Sequence, residues 1–139
     1  MPTRTLTGQC LCGAIHYTVA DTFHYAMYCH CSQCRRATGA ACKPFAGIPR
    51  QHLALTQGEP DLHIYTQGGP NHDAHCRHCG SLLYSVVRNG TYAHITMGTL
   101  TDPPSIHPTQ HIFVGSKAPW HTITDTLPQF DAFPPPPTS

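Results

Sequence analysis

Seven of the eight cysteines in this 139-residue sequence fall in three short stretches: Gln9-Cys10-Leu11-Cys12-Gly13, Cys29-His30-Cys31-Ser32-Gln33-Cys34 and Cys76-Arg77-His78-Cys79-Gly80. A C-x-C or C-x-x-C spacing lets two thiols face one point, and a following glycine lets the backbone turn sharply. Zinc takes about four such ligands in a tetrahedron. Groups of two, three and two cysteines therefore predict a closed site of four thiols and an open site of three. The spacing alone does not decide which groups join.

Other interpretations of the cysteines are weaker. An even count is compatible with disulfides, but disulfides need an oxidising compartment, and the first twenty residues lack the apolar core of a secretory signal. Cys31 and Cys34 resemble a thioredoxin-type redox pair, but no βαβ pattern precedes them. Cys42 lies in the apolar segment Ala40-Ala41-Cys42, where a buried small side chain is a simpler explanation than a fourth ligand.

Composition narrows the class of protein. Charged residues make up 11% of the chain, against about 25% in a typical soluble domain, and the formal net charge is +1. Two bound zinc ions and seven deprotonated thiols would bring that charge to roughly −2. We therefore expect no nucleic-acid partner, and the lack of long apolar stretches predicts no membrane span. Reduced thiols and the missing export signal predict a cytoplasmic protein.

Alternating apolar residues and turn-forming residues predict a mainly β, single-domain protein. The predicted strands are Thr3–Gln9, Ala14–Val19, Phe23–Tyr28, Ala40–Phe45, Leu53–Thr56, Leu62–Thr66, Asp73–His75, Leu82–Val87, Thr91–Met97 and His111–Val114. Gly47-Ile48-Pro49 is interpreted as a loop, and Ser32 as the cap of a short helix that ends at Gly39. We expect one zinc-binding domain over residues 1–133 and a proline-rich tail over 134–139.

A few further residues are candidates for function. Arg35 and Arg36 follow the middle cysteine group, where they would offset thiolate charge, hold a substrate carboxylate, or simply face solvent. His30, His75 and His78 adjoin cysteines, and placement at the surface or in a turn is the preferred interpretation. Phe113 and Trp120 are expected in the core rather than at a substrate. The single glutamate, Glu59, excludes the H-E-x-x-H and H-x-E zinc chemistries.

The three cysteine groups, in this order and with their flanking residues, resemble the glutathione-dependent formaldehyde-activating enzyme family, which also includes centromere protein V. The resemblance extends through Gly98-Thr99-Leu100, His111-Ile112-Phe113-Val114 and Lys117-Ala118-Pro119-Trp120, and covers roughly Thr7 to Phe130.

The resemblance implies a tent-like fold of β-sheets clipped by two zinc ions, with short helical turns. It implies that Cys10, Cys12, Cys76 and Cys79 form a structural site, and that Cys29, Cys31 and Cys34 form a catalytic site with one open position. The family's reaction joins glutathione and formaldehyde to give S-hydroxymethylglutathione, a carbon–sulfur lyase reaction in the reverse sense. The partners expected are thus a small thiol such as glutathione and an aldehyde.

Two other functions fit the same cysteines. In a zinc-stabilised binding module both sites would be structural, and a fourth protein ligand such as Cys42 or a histidine would complete the three-cysteine site. A thiol-based redox or metal sensor would release zinc on mild oxidation.

Overall fold

The computed structural model describes residues 3–134 and confirms a mainly β, single-domain protein. Within that range the chain forms ten strands and one α-helix. They are β1 (Thr5–Gln9), β2 (His16–Ala20), β3 (Tyr25–Cys29), α1 (Ser32–Thr38), β4 (Lys43–Pro49), β5 (Leu53–Gln57), β6 (Leu62–Tyr65), β7 (His72–Cys76), β8 (Leu82–Val87), β9 (Tyr92–Thr96) and β10 (His111–Ile112). The predicted tail lies outside the described residues except for Pro134.

The strands form two sheets. A three-stranded sheet has the order β1-β2-β5, and a seven-stranded sheet has the order β10-β3-β4-β9-β8-β7-β6. Neighbouring strands are antiparallel except for β10, which pairs with β3 in parallel. Most of the large sheet is a meander of antiparallel neighbours, so short turns suffice to connect its strands.

The main hydrophobic core lies between the two sheets. The small sheet contributes Leu6, Tyr17 and Val19, and the large sheet contributes residues such as Ile48 and Ile95, all fully or nearly fully buried. Each buried aliphatic side chain of this size stabilises the fold by about 1.5–3 kcal/mol. The alternation of strand side chains therefore commits one face of the large sheet to the core.

The opposite face of the large sheet carries a row of polar side chains. One row of paired residues crosses it from Tyr25 through Gly47, His94 and Ser85 to Asp73. By strand alternation, Cys29 and Lys43, which are themselves register partners, leave the sheet on the same side. We call this side, defined by Tyr25, Cys29, Lys43, Asp73, Ser85 and His94, the polar face.

Strand β4 departs from the prediction. It begins at Lys43 and continues through Gly47-Ile48-Pro49, which the sequence suggested as a loop. A Cβ atom at position 47 would collide with the ring of Tyr25 on the neighbouring strand. Gly47 is therefore required inside the strand because an aromatic ring lies across its backbone.

Two smaller corrections concern local structure. The helix cap is Cys31, whose sulfur accepts a hydrogen bond from the Cys34 N–H, and not Ser32, which is the first helical residue. Strand β10 ends at Ile112 because Phe113 adopts a left-handed conformation with φ of 56°. Gly39 ends the helix with φ of 65°, as its sequence position predicted.

The segment after β10 folds back over the edge of the large sheet. His111 N–H donates to the carbonyl of Pro128, and Phe130 N–H donates to the carbonyl of His111. These bonds cover the outer edge next to β3 and position the C-terminal segment close to the middle cysteine group. No helix within residues 3–134 has the length and apolar character needed to cross a lipid bilayer.

Candidate metal centres and adjoining cleft

Two turns separated by more than sixty residues build the four-cysteine cluster. Cys10 and Cys12 follow β1, while Cys76 ends β7 and Cys79 lies in the next turn. Gly13 and Gly80 both have φ of +81°, a conformation that glycine adopts without strain. The two turns are thus tight, matched hairpin connections that direct their thiols at each other.

Sulfur separations in this cluster match a tetrahedral metal site. Cys12 Sγ lies 3.7 Å from Cys10 Sγ and 3.7 Å from Cys76 Sγ, and all four sulfurs lie within 4.8 Å of one another. A disulfide would bring two sulfurs to about 2.05 Å. A zinc tetrahedron with Zn–S bonds of ~2.3 Å has edges of about 3.8 Å. The cluster therefore fits a zinc ion, and the eight cysteines are free thiols rather than disulfides.

Neighbouring donors stabilise negative charge on these sulfurs. The Ile15 N–H donates to Cys10 Sγ at 3.3 Å, and the His78 N–H donates to Cys76 Sγ at 3.4 Å. The Ser81 hydroxyl lowers the pKa of Cys79 to about 5. Because metal ligation needs thiolates rather than thiols, these contacts prepare the cluster to bind a cation.

The three-cysteine cluster is local in sequence. Cys29 ends β3, Cys31 caps α1, and Cys34 lies in the first turn of the helix. Their sulfurs lie within 4.8 Å of one another, and the Cys34 N–H donates to Cys31 Sγ at 3.3 Å. Hydrogen bonding from the neighbouring thiols lowers the pKa of Cys31 to about 2, and the same contact raises the pKa of Cys29 to about 11. The three thiols therefore do not ionise independently, and a bound cation would stabilise the thiolate form of all three.

No fourth ligand completes this cluster within residues 3–134. No histidine nitrogen, carboxylate oxygen or further sulfur of the described chain lies within 4.8 Å of all three thiols. Cys42 is half-buried and belongs to neither cluster, and burial raises its pKa. Both clusters can hold a metal ion, but only the four-cysteine cluster supplies a full tetrahedron from the described chain.

His30 is fully buried, which corrects the expectation that it lies at the surface or in a turn. His30 Nε2 lies 2.8 Å from His111 Nδ1, and His111 Nε2 lies 3.0 Å from both carboxylate oxygens of Asp125. Since the carboxylate can only accept, His111 donates from Nε2 and accepts from His30 at Nδ1. Burial lowers the pKa of His30 to about 4, so His30 is neutral near pH 7. The chain of contacts ties the middle cysteine group to the C-terminal segment.

Of the other two histidines that adjoin cysteines, His78 follows the expectation and His75 does not. His78 lies in the exposed turn, where its Nε2 contacts Asp61 at 2.9 Å. His75 lies in β7 and is half-buried. His16, His63 and His94 lie on strands, as the sequence indicated.

A second buried contact chain runs across the polar face. Lys43 Nζ donates to Ser85 Oγ at 2.9 Å, and Ser85 Oγ donates to Asp73 Oδ1 at 2.6 Å. Lys43 and Ser85 are only 5% and 7% exposed. No local sequence pattern predicts these contacts, because Lys43, Ser85 and Asp73 come from three separate strands, β4, β8 and β7.

An open cleft of about 1070 Å³ lies between α1 and the β6–β7 hairpin. Gln33 and Arg36 line it from the helix, and Asp73, His75 and Arg77 line it from the hairpin and its turn. Its walls thus come from segments next to both cysteine clusters. Arg36 and Arg77 make no salt bridge within the described chain, so the cleft offers positive charge to an anionic ligand.

The expected core position of Trp120 is wrong. Its side chain is 72% exposed, since it follows Pro119 in the surface segment beyond β10. Phe113 is half-buried and packs against a small second core formed by Cys29, Phe45 and Ile112. That second core anchors the end of β3 that carries the three-cysteine cluster.

Comparisons with known proteins found a matching family and a similar crystal structure. The model of the glutathione-dependent formaldehyde-activating enzyme family matches residues 5–116. A crystal structure of a Rhodobacter sphaeroides protein is similar, with a TM-score of 0.60 and 28% sequence identity over 72% of this chain and 92% of that chain. No curated protein matches the chain at a significant level. Since the family model spans most of the sequence and includes all three cysteine groups, the chain belongs to the glutathione-dependent formaldehyde-activating enzyme family.

Proposed function

We propose that the protein is a zinc-dependent enzyme of the carbon–sulfur lyase type, which joins a small thiol to an aldehyde or reverses that reaction. Glutathione and formaldehyde, giving S-hydroxymethylglutathione, are the first substrates to test. The observation that carries the proposal is the difference between the clusters: the described chain supplies four thiols to one and three to the other.

The proposed roles follow from that difference. Cys10, Cys12, Cys76 and Cys79 hold a structural zinc ion. Cys29, Cys31 and Cys34 hold a second zinc ion with a position open to substrate. When bound there, zinc supplies a soft cation at which a substrate thiol loses its proton.

The chain's own residues bind and position the substrate. In the proposed reaction the thiolate sulfur attacks the aldehyde carbon, a C–S bond forms, the C=O π bond breaks, and the oxygen takes up one proton. Arg36 and Arg77 in the cleft suit the carboxylates of a peptide thiol such as glutathione. The catalytic domain is proposed to span residues 1–133. Seven reduced thiols favour a reducing compartment such as the cytoplasm.

The alternative of a zinc-stabilised binding module requires both zinc ions to be fully coordinated by protein. It predicted that Cys42 or a histidine completes the three-cysteine cluster. Within residues 3–134 neither Cys42 Sγ nor a histidine nitrogen lies within 4.8 Å of all three thiols. This arrangement favours the enzyme.

Two-dimensional exchange NMR tests the proposal directly. Glutathione and formaldehyde form the adduct spontaneously, so the zinc-loaded protein is added at substoichiometric concentration, and the exchange rate between free and adduct glutathione is measured. We expect acceleration over the uncatalysed rate, and its loss in Cys34→Ser. Cys42→Ser is the matched control, because it removes a nearby thiol that belongs to neither cluster. Equal rates with and without parent protein would refute catalysis with this substrate pair.

A further inference from the structure

Lys43 is buried in a way that leaves its charge poorly compensated. Lysine is almost never fully buried unless it is paired, yet Lys43 is 5% exposed. It makes no salt bridge within residues 3–134, and its one hydrogen-bond acceptor there is the neutral hydroxyl of Ser85. Asp73 lies beyond that hydroxyl and does not contact the ammonium group. Burying an uncompensated ammonium group is costly, so a further negative charge is expected close by.

The three-cysteine cluster lies on the same side of the sheet. Lys43 is the register partner of Cys29, and directly opposite residues in antiparallel strands project from the same face. Hydrogen bonding with Cys29 and Cys31 raises the pKa of Cys34, and the positive charge of Lys43 opposes that rise to a smaller extent. No hydrogen bond joins Lys43 Nζ to a cysteine sulfur, so its influence is one of charge and not of ligation.

Lys43 carries the buried positive charge on the part of the polar face that lies next to Cys29. The neighbouring histidines do not share that role: burial lowers the pKa of His94 to about 3 and also lowers the pKa of His75. Arg88, the next cation on this side, lies over the rings of Tyr25 and Tyr92 at 5.1 Å and 4.5 Å. Among residues 3–134, Lys43 is the one lysine or arginine that is buried.

Charge accounting shows why such a residue is needed. Three thiolates around a divalent cation carry a formal charge of about −1, and a fourth, substrate-derived thiolate makes it about −2. Adding an anion to an already negative, part-buried centre carries an electrostatic cost, which a fixed cation nearby reduces. A neutral ligand at the same position would meet no such penalty.

We propose that Lys43 is a specificity residue for thiolate substrates: its buried ammonium group, held by Ser85 and Asp73, offsets the negative charge of the three-cysteine cluster and so allows an anionic sulfur ligand to bind there. Lys43 acts through the cluster, and Ser85 and Asp73 position it. The inference rests on the proposed function only in requiring that a thiol binds at this cluster.

Ligand binding to cobalt-substituted protein tests the proposal without turnover. Co²⁺ replaces zinc, and the sulfur-to-cobalt charge-transfer bands and ligand-field bands are followed as ligand is added. Glutathione is the anionic probe and imidazole the neutral probe. Lys43→Met removes charge and hydrogen bond, whereas Lys43→Gln removes the charge and keeps a donor towards Ser85. Arg88→Met is the matched control, because it removes a cation of the same face that does not act on the cluster.

We expect both Lys43 variants to bind glutathione at least about tenfold more weakly than the parent, while imidazole affinity changes less than about twofold. Arg88→Met should match the parent for both ligands. Equal weakening of both ligands would show a merely structural role and overturn the proposal, as would unchanged glutathione affinity. If glutathione leaves the parent's spectrum unchanged, the proposed function and this inference both fail. If glutathione binds parent and variants alike, only the role of Lys43 fails. Should one variant not fold, the other gives the same readout.

Discussion

The two cysteine clusters use the same ligand chemistry but occupy different places in the chain. The four-cysteine cluster joins two turns 64 residues apart, from Cys12 to Cys76, and so connects the small sheet to the large one. The three-cysteine cluster spans six residues at the junction of β3 and α1. The first cluster therefore closes a long loop between sheets, while the second requires little of the fold beyond one strand end and one helical turn.

Under the proposed function, this contrast separates stability from reactivity. Structural zinc binding contributes on the order of 10 kcal/mol to a small domain, comparable to the total stability of many proteins. A site that stabilises this strongly must be closed, because an exchangeable ligand would weaken it. A local cluster outside the main core is free to keep one position for a substrate.

The largest expected effect is the loss of the fold on disrupting the four-cysteine cluster. In Cys79→Ser we expect the protein to be largely unfolded at 25 °C, because one missing thiolate removes most of the ~10 kcal/mol that structural zinc supplies. Far-UV circular dichroism and zinc content per chain measure this. A chelator that removes both zinc ions from the parent should give the same spectrum. A folded Cys79→Ser protein with parent-like thermal stability would contradict the assignment of the structural site.

A smaller effect is expected at the three-cysteine cluster. Cys34→Ser should remain folded, bind about one zinc ion per chain instead of about two, and lose catalysis, because two thiolates hold zinc poorly. Metal analysis after dialysis, together with circular dichroism, measures both properties. Cys42→Ser should keep both zinc ions and the parent's stability. Unchanged zinc content in Cys34→Ser would refute the three-cysteine site.

The clusters also differ in how much of their surroundings the sequence predicts. Short spacings such as Cys29 to Cys34 and glycines at left-handed turns are local features, so the three cysteine groups and the helix are visible in the sequence. The closure of Cys10 with Cys76 is not, because only the pairing of strands brings those turns together.

Errors arose where distant contacts override local preference. Gly47 and Pro49 indicate a loop, yet the ring of Tyr25 needs a glycine beneath it, and the strand continues. Position 30 indicates a polar turn, yet His111, 81 residues away, gives the ring of His30 a buried partner. The contact of Lys43 with Ser85 is also long-range, since the two residues are 42 positions apart in the sequence. Polar side chains that are buried in such long-range pairs do not contribute to the hydrophobic periodicity of the sequence.

A moderate effect is expected where the C-terminal segment supports the local cluster. The Asp125 carboxylate accepts a hydrogen bond from His111 and so orients the contact between His111 and His30. The substitution Asp125→Asn removes that carboxylate. We expect a modest decrease in the free energy of unfolding, because a charge-assisted hydrogen bond at an exposed carboxylate is replaced by a neutral one. Denaturant unfolding measures it, with zinc content as a second readout. Loss of zinc from the three-cysteine cluster would show that the cluster depends on the C-terminal segment. It would contradict the view that one strand end and one helical turn are sufficient to form the cluster.

The smallest expected effect is an acid sensitivity that belongs to neither cluster. His94 is held neutral on the polar face, where its Nε2 lies 2.7 Å from the hydroxyl of Tyr25 and its ring stacks on Phe45 at 4.3 Å. Burial lowers the pKa of His94 to about 3, below its unfolded value near 6.5. As the pH falls below the pKa of His94 in the unfolded chain, the unfolded chain binds a proton at this histidine and the folded protein does not. The free energy of unfolding therefore declines.

Between pH 7 and pH 5.5 this one residue should lower the free energy of unfolding by about 1 kcal/mol. His94→Asn should show a correspondingly shallower decline, whereas His52→Asn, at an exposed position, should follow the parent. Denaturant unfolding at constant zinc saturation separates this contribution from proton competition at the thiolates. Identical pH profiles for the parent and His94→Asn would contradict this role of His94 and would leave the acid sensitivity to other groups, such as the buried His30 and the metal clusters.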